Sequence, residues 1–80
     1  MSKEILAAID EGGRETRYLL EVVQEGEHWT STLAKLDARG QPMEAAVAPK
    51  FYGLSAEQAR RRMVSVLENQ YDEVRLIMRA

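Results

Sequence analysis

The segment that follows Gly53 carries the clearest local signal in this chain, and it predicts one helix over about residues 55–70. Ser55 is a residue type that caps helix N-termini, and Gln58 stands three positions later, which together make a capping box. Apolar residues then recur at helical spacing and predict a buried stripe made of Ala59, Met63, Val66, Leu67 and Tyr71.

The residues that precede this helix favour strands. Residues 16–24 are rich in β-branched and aromatic types and have apolar residues on both sides of the strand, which predicts a central strand with both faces partly covered. A turn at Gly26 leads into a second strand over residues 28–36, and a further turn leads into a third over residues 43–52. Pro49 cannot donate a ladder hydrogen bond, so the third strand belongs at a sheet edge or carries a bulge.

The two ends of the chain complete the predicted topology. Residues 73–79 alternate in polarity and predict a fourth strand after the helix. The result is an α+β fold of order βββαβ: a three-stranded antiparallel meander, one helix and a fourth strand, which returns parallel to the third strand or, at the far edge, to the first. Residues 2–11 predict a short N-terminal helix that ends at Gly12 and Gly13, although their alternation would also suit a strand that enters a hairpin.

Size and composition narrow the classes of protein that this chain can belong to. Eighty residues are enough for a single small domain over 1–80. A hydrophobic content of 45% with 30% charged residues is typical of a globular protein rather than a disordered one. There is no apolar run near the ~18 residues of a membrane span and no signal-peptide pattern, which predicts a cytoplasmic protein that does not enter membranes.

Few residues suggest catalytic chemistry. The chain has no cysteine, which excludes disulfides, thiolate nucleophiles and cysteine-ligated zinc. His28 is its only histidine, and no carboxylates stand around it at a metal-ligand spacing. No glycine-rich phosphate loop is present, and Ser31 with His28 forms no recognisable catalytic pattern. We therefore expect a non-enzymatic protein with no metal and no cofactor.

Binding to another protein is the function that the residues favour. The predicted helix covers one face of the sheet, and the other face also carries apolar residues, which predicts a homodimer that covers them. The predicted contact groups are apolar anchors surrounded by a charged rim. The anchors are Trp29, Phe51 and Tyr52, and the rim is the arginine run formed by Arg60, Arg61 and Arg62.

Two of these predictions have a structural alternative. The arginine run fans over about 200° of the helix, so it cannot form one flat patch. Glu57 stands four residues before Arg61, and a salt-bridged solvent face therefore competes with contact to phosphate or to an acidic partner. Trp29 is expected to face Tyr18 across the first hairpin, and it becomes an interface anchor if it is instead exposed.

One family shares several of these features. An apolar strand with Tyr18, a turn at Gly26, Trp29 opening the next strand and the helix entry at residues 53–59 together resemble the N-terminal domain of the HicB-like antitoxins. That family has a partial RNase H-like fold of order βββαβ. The resemblance implies that the chain binds a protein partner.

A second resemblance points to nucleic acid. Double-stranded RNA-binding domains have the order αβββα, with a histidine between the first two strands and a lysine-rich motif at the last helix. His28, Ala59 and Arg60 are similar to that pattern, whereas Ala56 and Glu57 stand where the family has lysines. Binding of nucleic acid through the arginine run is therefore the alternative to protein binding.

Overall fold

The computed structural model describes residues 2–44 and 48–79, which form one antiparallel sheet and one helix. In chain order the elements are β1 (Ser2–Ile9), β2 (Glu15–Glu25), β3 (His28–Lys35), β4 (Lys50–Gly53), α1 (Ala56–Gln70) and β5 (Glu73–Arg79). The five strands lie in the order β4-β3-β2-β1-β5, and α1 packs against one face of the sheet. The α+β class is confirmed, while the sheet has one more strand than predicted and the helix follows β4.

The predicted N-terminal helix is wrong, and the alternative strand is what the structure contains. β1 pairs antiparallel with β2 along its whole length, from Ser2 opposite Val22 to Ile9 opposite Glu15. The Asp10 carboxylate accepts hydrogen bonds from two backbone amides of the connecting turn, each at 2.9 Å. Strand pairing on both sides of β1 outweighs the weak helical preference of so short a segment.

The last strand has the predicted direction but a neighbour that was not predicted. β5 pairs antiparallel with β1, so it runs in the same direction as β2 and β4. The extra strand β1 lies between β5 and β2, and β2 is the middle strand of the sheet, as its composition predicts. β4 and β5 therefore lie at opposite edges of the sheet, and α1 crosses between them.

The third predicted strand is shorter than expected. Only Lys50–Gly53 is extended and paired, and it pairs with β3 at the edge of the sheet. Met43 and Glu44 belong to no strand, and the Met43 amide donates to the Lys35 carbonyl at 2.8 Å. The predicted strand residues 45–47 lie outside the described residues. Pro49 stands just before the first residue of β4, where its missing N–H leaves no ladder bond unmade.

The helix agrees closely with the sequence prediction. Its bounds are Ala56–Gln70, and Ser55 is the N-cap. The core between α1 and the sheet consists of Leu6, Leu20, Leu33, Met63 and Leu67. Ala59 is also fully buried, whereas Val66 and Tyr71 of the predicted stripe are only half-buried. The Ser31 hydroxyl donates to the Ala59 carbonyl at 2.7 Å and joins β3 to the helix.

The other face of the sheet, which we call the open face, has no described helix or strand packed on it, and the turn that follows β3 borders it beside Ile5 and Arg17. By strand alternation it carries Ile5, Ala7, Leu19, Val23 and Ala34, since their neighbours Leu6, Leu20 and Leu33 point toward α1.

No helix in the described part of the chain is long and apolar enough to cross a membrane.

Candidate functional site

An exposed corner forms where β4 ends and α1 begins. His28, Tyr52, Leu54, Gln58 and Arg62 line an open depression of about 390 Å³ there, and we call these residues the β4–α1 corner. They come from three consecutive elements, β3, β4 and α1, together with the short turn that joins the last two.

The backbone of this corner is held firmly. The Ser55 hydroxyl accepts a hydrogen bond from the Gln58 amide at 3.1 Å, and the Gln58 side-chain oxygen accepts one from the Leu54 amide at 2.6 Å. This is the predicted capping box, except that the Gln58 side chain binds the amide of Leu54 rather than that of the N-cap Ser55. A Cβ on Gly53 would lie 2.6 Å from the Ala59 backbone nitrogen, so only glycine lets β4 approach the helix this closely.

Leu54 is unusually exposed for a leucine on such an ordered turn. A hydrophobic residue directly before a helix N-cap often packs against the fourth helical residue, which is Ala59 in α1. Leu54 does not pack there, as its accessible surface of 83% shows. The structure therefore presents an aliphatic side chain to solvent on a backbone that is fixed by two hydrogen bonds.

Tyr52 stands beside Leu54 and is surrounded by cationic and aromatic groups. Its ring meets His28 edge to face, with centroids 5.7 Å apart and an interplanar angle of 69°. The Lys50 ammonium lies 5.7 Å from the centroid of the same ring. Arg62 Nη1 donates to the Tyr52 carbonyl at 2.7 Å, which ties the helix to β4.

The three members of the arginine run make different contacts. Arg60 bonds the Glu4 carboxylate on β1, Arg61 pairs with Glu57 at 3.5 Å, and Arg62 reaches the β4–α1 corner. The Glu57–Arg61 pair is the one that the sequence spacing predicts.

Glu4 is a buried acid that no sequence motif marks. Only 3% of its surface is accessible, and it accepts bonds from Arg60 Nε at 2.6 Å and from Arg79 Nε at 3.1 Å. Burial alone would raise the pKa of Glu4, but the hydrogen bonds and charges of Arg60 and Arg79 outweigh it and hold this pKa below its usual range. The sequence does hold one clue: Glu4 stands two residues before Leu6, so in a strand both side chains point to the same buried face.

The remaining predicted anchors are half-buried rather than exposed. Phe51 pairs with Ser31 on the helix side of the sheet and packs against the core, so it is half-buried. Trp29 is also half-buried, next to Gly53 on the neighbouring strand. Of the predicted contact residues, the structure brings Tyr52 and Arg62 together in the β4–α1 corner.

The predicted contact between Trp29 and Tyr18 is wrong. The hairpin register places Trp29 opposite Gln24, near the turn, and Tyr18 opposite Lys35, at the far end of the two strands. The Tyr18 hydroxyl instead meets the Tyr71 hydroxyl at 2.7 Å, with the two rings edge to face. The pKa of Tyr18 is raised to about 12, mainly by burial and secondly by this hydrogen bond.

The described residues hold no group of three or more histidines and carboxylates that is arranged to bind a metal ion. Their element order also differs from the αβββα order that the resemblance to double-stranded RNA-binding domains implies.

No protein-family model, curated protein or solved structure matches this chain.

Proposed function

We propose that this chain is a small non-catalytic module that binds a protein partner through the β4–α1 corner. The observation that carries the proposal is the exposed Leu54, which stands on a hydrogen-bonded turn beside the exposed Tyr52. Rigid apolar and aromatic side chains lose little conformational freedom on binding, and tyrosine and arginine are enriched among the residues that dominate interface energies. The resemblance to HicB-like antitoxins supports the same class of function.

The charges around the corner indicate the chemistry of the partner. Lys50 pairs with Glu25 at 3.5 Å, but within residues 2–44 and 48–79 no carboxylate lies within ion-pairing distance of Arg62. A matching partner segment would place an aliphatic or aromatic side chain against Leu54 and Tyr52, with an acidic residue that reaches Arg62.

The contacts of the arginine run favour protein over nucleic acid. Arg60 is bound to the buried Glu4 carboxylate, and Arg61 is paired with Glu57. A phosphate backbone is recognised by several cations along one surface, whereas here a single arginine of the run points into the corner.

Site-specific photo-cross-linking tests this proposal. A photoreactive amino acid at position 54 should cross-link a defined protein in cells, whereas the same group at Glu68, an exposed residue of α1, should not. The captured protein is then purified and titrated against the chain. We expect Leu54→Asp to weaken that binding at least ~10-fold, which corresponds to about 1.4 kcal/mol, and Arg61→Ala to change it less than ~2-fold.

Three results would overturn the proposal. Equal cross-linking from positions 54 and 68, or an affinity that Leu54→Asp leaves unchanged, would remove the corner as the binding surface. Co-purification of nucleic acid that dissociates steeply as salt rises, and that depends on Arg62, would instead establish the nucleic-acid alternative.

A further inference from the structure

One row of apolar side chains crosses the open face from β5 to β3. The strand registers place Met78 opposite Ile5, Ile5 opposite Leu19, and Leu19 opposite Ala34. Ile5, Leu19 and Ala34 are half-buried, and 55% of Met78 is accessible. We call these four residues the apolar row.

A bulge in β5 widens the apolar surface at one end of this row. Leu6 lies opposite Leu76 and Ile5 lies opposite Met78, so Ile77 is an extra residue on β5. Arg79 reaches Glu4 on the helix side, so its neighbour Met78 points to the open face. Leu76 lies opposite Leu6 on the helix side, so its neighbour Ile77 points to the open face as well. The accessible fractions of Ile77 and Met78 are 41% and 55%.

The charges that flank the apolar row have opposite signs on the central strand. Arg17 stands two residues before Leu19 and Glu21 stands two residues after it, so all three side chains lie on the open face. Arg75 lies in the same cross-strand row as Arg17, because both are paired with the Ala7 position of β1.

We propose that the open face binds the open face of a second copy of this chain about a two-fold axis that runs along the apolar row. Two sheets that face each other are related by an axis in the plane between them. An axis parallel to the strands would stack the row of Arg17 and Arg75 on itself, which is repulsive. An axis along the apolar row reverses each strand, so Leu19 meets Leu19 and Arg17 lies over Glu21 of the second copy.

The area of the face sets the strength of this dimer. Because β4 stays outside the contact, four strands ~4.8 Å apart span about 19 Å, and eight residues at ~3.3 Å span about 26 Å, so roughly 500 Å² per copy is available. The total of roughly 1,000 Å² is just below the range for stable protein interfaces, about 1,200–2,000 Å². We therefore expect a dimer whose population rises with protein concentration.

This dimer is independent of the proposed partner site. Among the described residues β4 pairs with Trp29–Thr32 alone and does not reach the apolar row, so Leu54 stays outside the two-fold contact. A chain with no partner at the corner would still dimerise, and a monomeric chain could still bind a partner there.

Paired charge reversals test the interface and its symmetry. Sedimentation equilibrium should show that Arg17→Glu and Glu21→Arg each weaken self-association at least ~10-fold, because each creates two like-charge contacts across the axis. An equimolar mixture of these two variants should recover dimerisation, since the carboxylates at positions 17 and 21 of one variant then meet the guanidinium groups of the other. The double variant Arg17→Glu/Glu21→Arg should recover it as a homodimer.

Controls separate the interface from the fold. Arg61→Glu changes charge on the solvent side of α1 and should leave the dimer intact. Because Arg17 also pairs with Glu15 at 2.8 Å, circular dichroism and thermal unfolding of each variant, with Arg17→Ala as a second variant, verify that the chain is folded. A wild-type chain that remains monomeric at the highest soluble concentration would overturn the proposal, and so would single variants that fail to recover when mixed.

Discussion

The Arg60 guanidinium on α1 holds the Glu4 carboxylate on β1 through two hydrogen bonds, Nε to Oε2 at 2.6 Å and Nη2 to Oε1 at 3.1 Å. Arg79 on β5 donates to the same carboxylate. One buried acid therefore joins the first strand, the helix and the last strand. The arginine that makes this contact is one that the sequence pattern assigns to a binding rim.

Replacement of Glu4 by glutamine should destabilise the fold in a pH-dependent way. The folded-state pKa of Glu4 lies below the ordinary value of 4.5, so its ionised form stabilises the fold above that pH, and this contribution is lost as the pH falls through the lower folded-state pKa. We expect Glu4→Gln to lower the free energy of unfolding by about 1–3 kcal/mol at pH 7, less than for a fully enclosed ion pair because both arginines reach solvent. Urea unfolding of both proteins at several pH values measures the difference. A difference that stays constant down to strongly acidic pH would contradict this assignment.

Loss of Arg60 should have a much larger effect on stability than loss of its neighbour. Arg60→Ala leaves the buried Glu4 carboxylate with only Arg79, whereas Arg61→Ala removes one exposed ion pair on the helix surface. We expect a loss of about 1–3 kcal/mol for Arg60→Ala and less than about 0.5 kcal/mol for Arg61→Ala. Thermal and urea unfolding compare the two variants directly. Equal effects would mean that the run acts as one solvent-exposed surface.

An alanine at position 53 should be poorly tolerated. Its Cβ would lie 2.6 Å from the Ala59 nitrogen, and backbone atoms cannot move away as a flexible side chain can. We expect Gly53→Ala to cost about 1–3 kcal/mol of unfolding free energy and to loosen the corner that presents Leu54. Gly12→Ala is the matched control, because its nearest contact is the Asp10 side chain at 3.5 Å. If the two variants are equally stable, β4 does not pack against the helix as described.

The tyrosine pair should be visible at alkaline pH. The folded-state pKa of Tyr18, about 12, exceeds the ordinary value of 10.0, so the neutral hydroxyl stabilises the fold below pH 10, and this contribution is lost as the pH rises through about 12. Absorbance titration should show a late tyrosinate phase that is absent in Tyr18→Phe. Tyr71→Phe removes the hydrogen bond and should move that phase to lower pH, at a cost of about 1 kcal/mol in stability. The absence of any late phase in the wild type would contradict the hydrogen-bonded, half-buried pair.

The parts of the fold that were predictable depend on residues close together in the chain. Ser55, Gln58 and the stripe at helical spacing are sufficient to place α1, because capping and amphipathic periodicity are local properties. Gly26, with a φ of 65°, likewise marks the turn between β2 and β3. Within the candidate site, Tyr52 and Arg62 could be named from the sequence because their types are common in interfaces.

The remaining features depend on which strands pair and in which register. β1 has an ambiguous local pattern and becomes a strand because β2 and β5 supply partners on both of its edges. Arg60 and Glu4 are 56 positions apart, and Tyr18 and Tyr71 are 53 apart, so their contacts exist only once the sheet order and the crossover are set. The exposure of Leu54 also emerged only in three dimensions, since the sequence alone does not distinguish a leucine that packs on the helix from one left in solvent. Local propensities therefore determined α1 and the β2–β3 hairpin, whereas long-range pairing decided that β1 is a strand and which residues the elements bury or present.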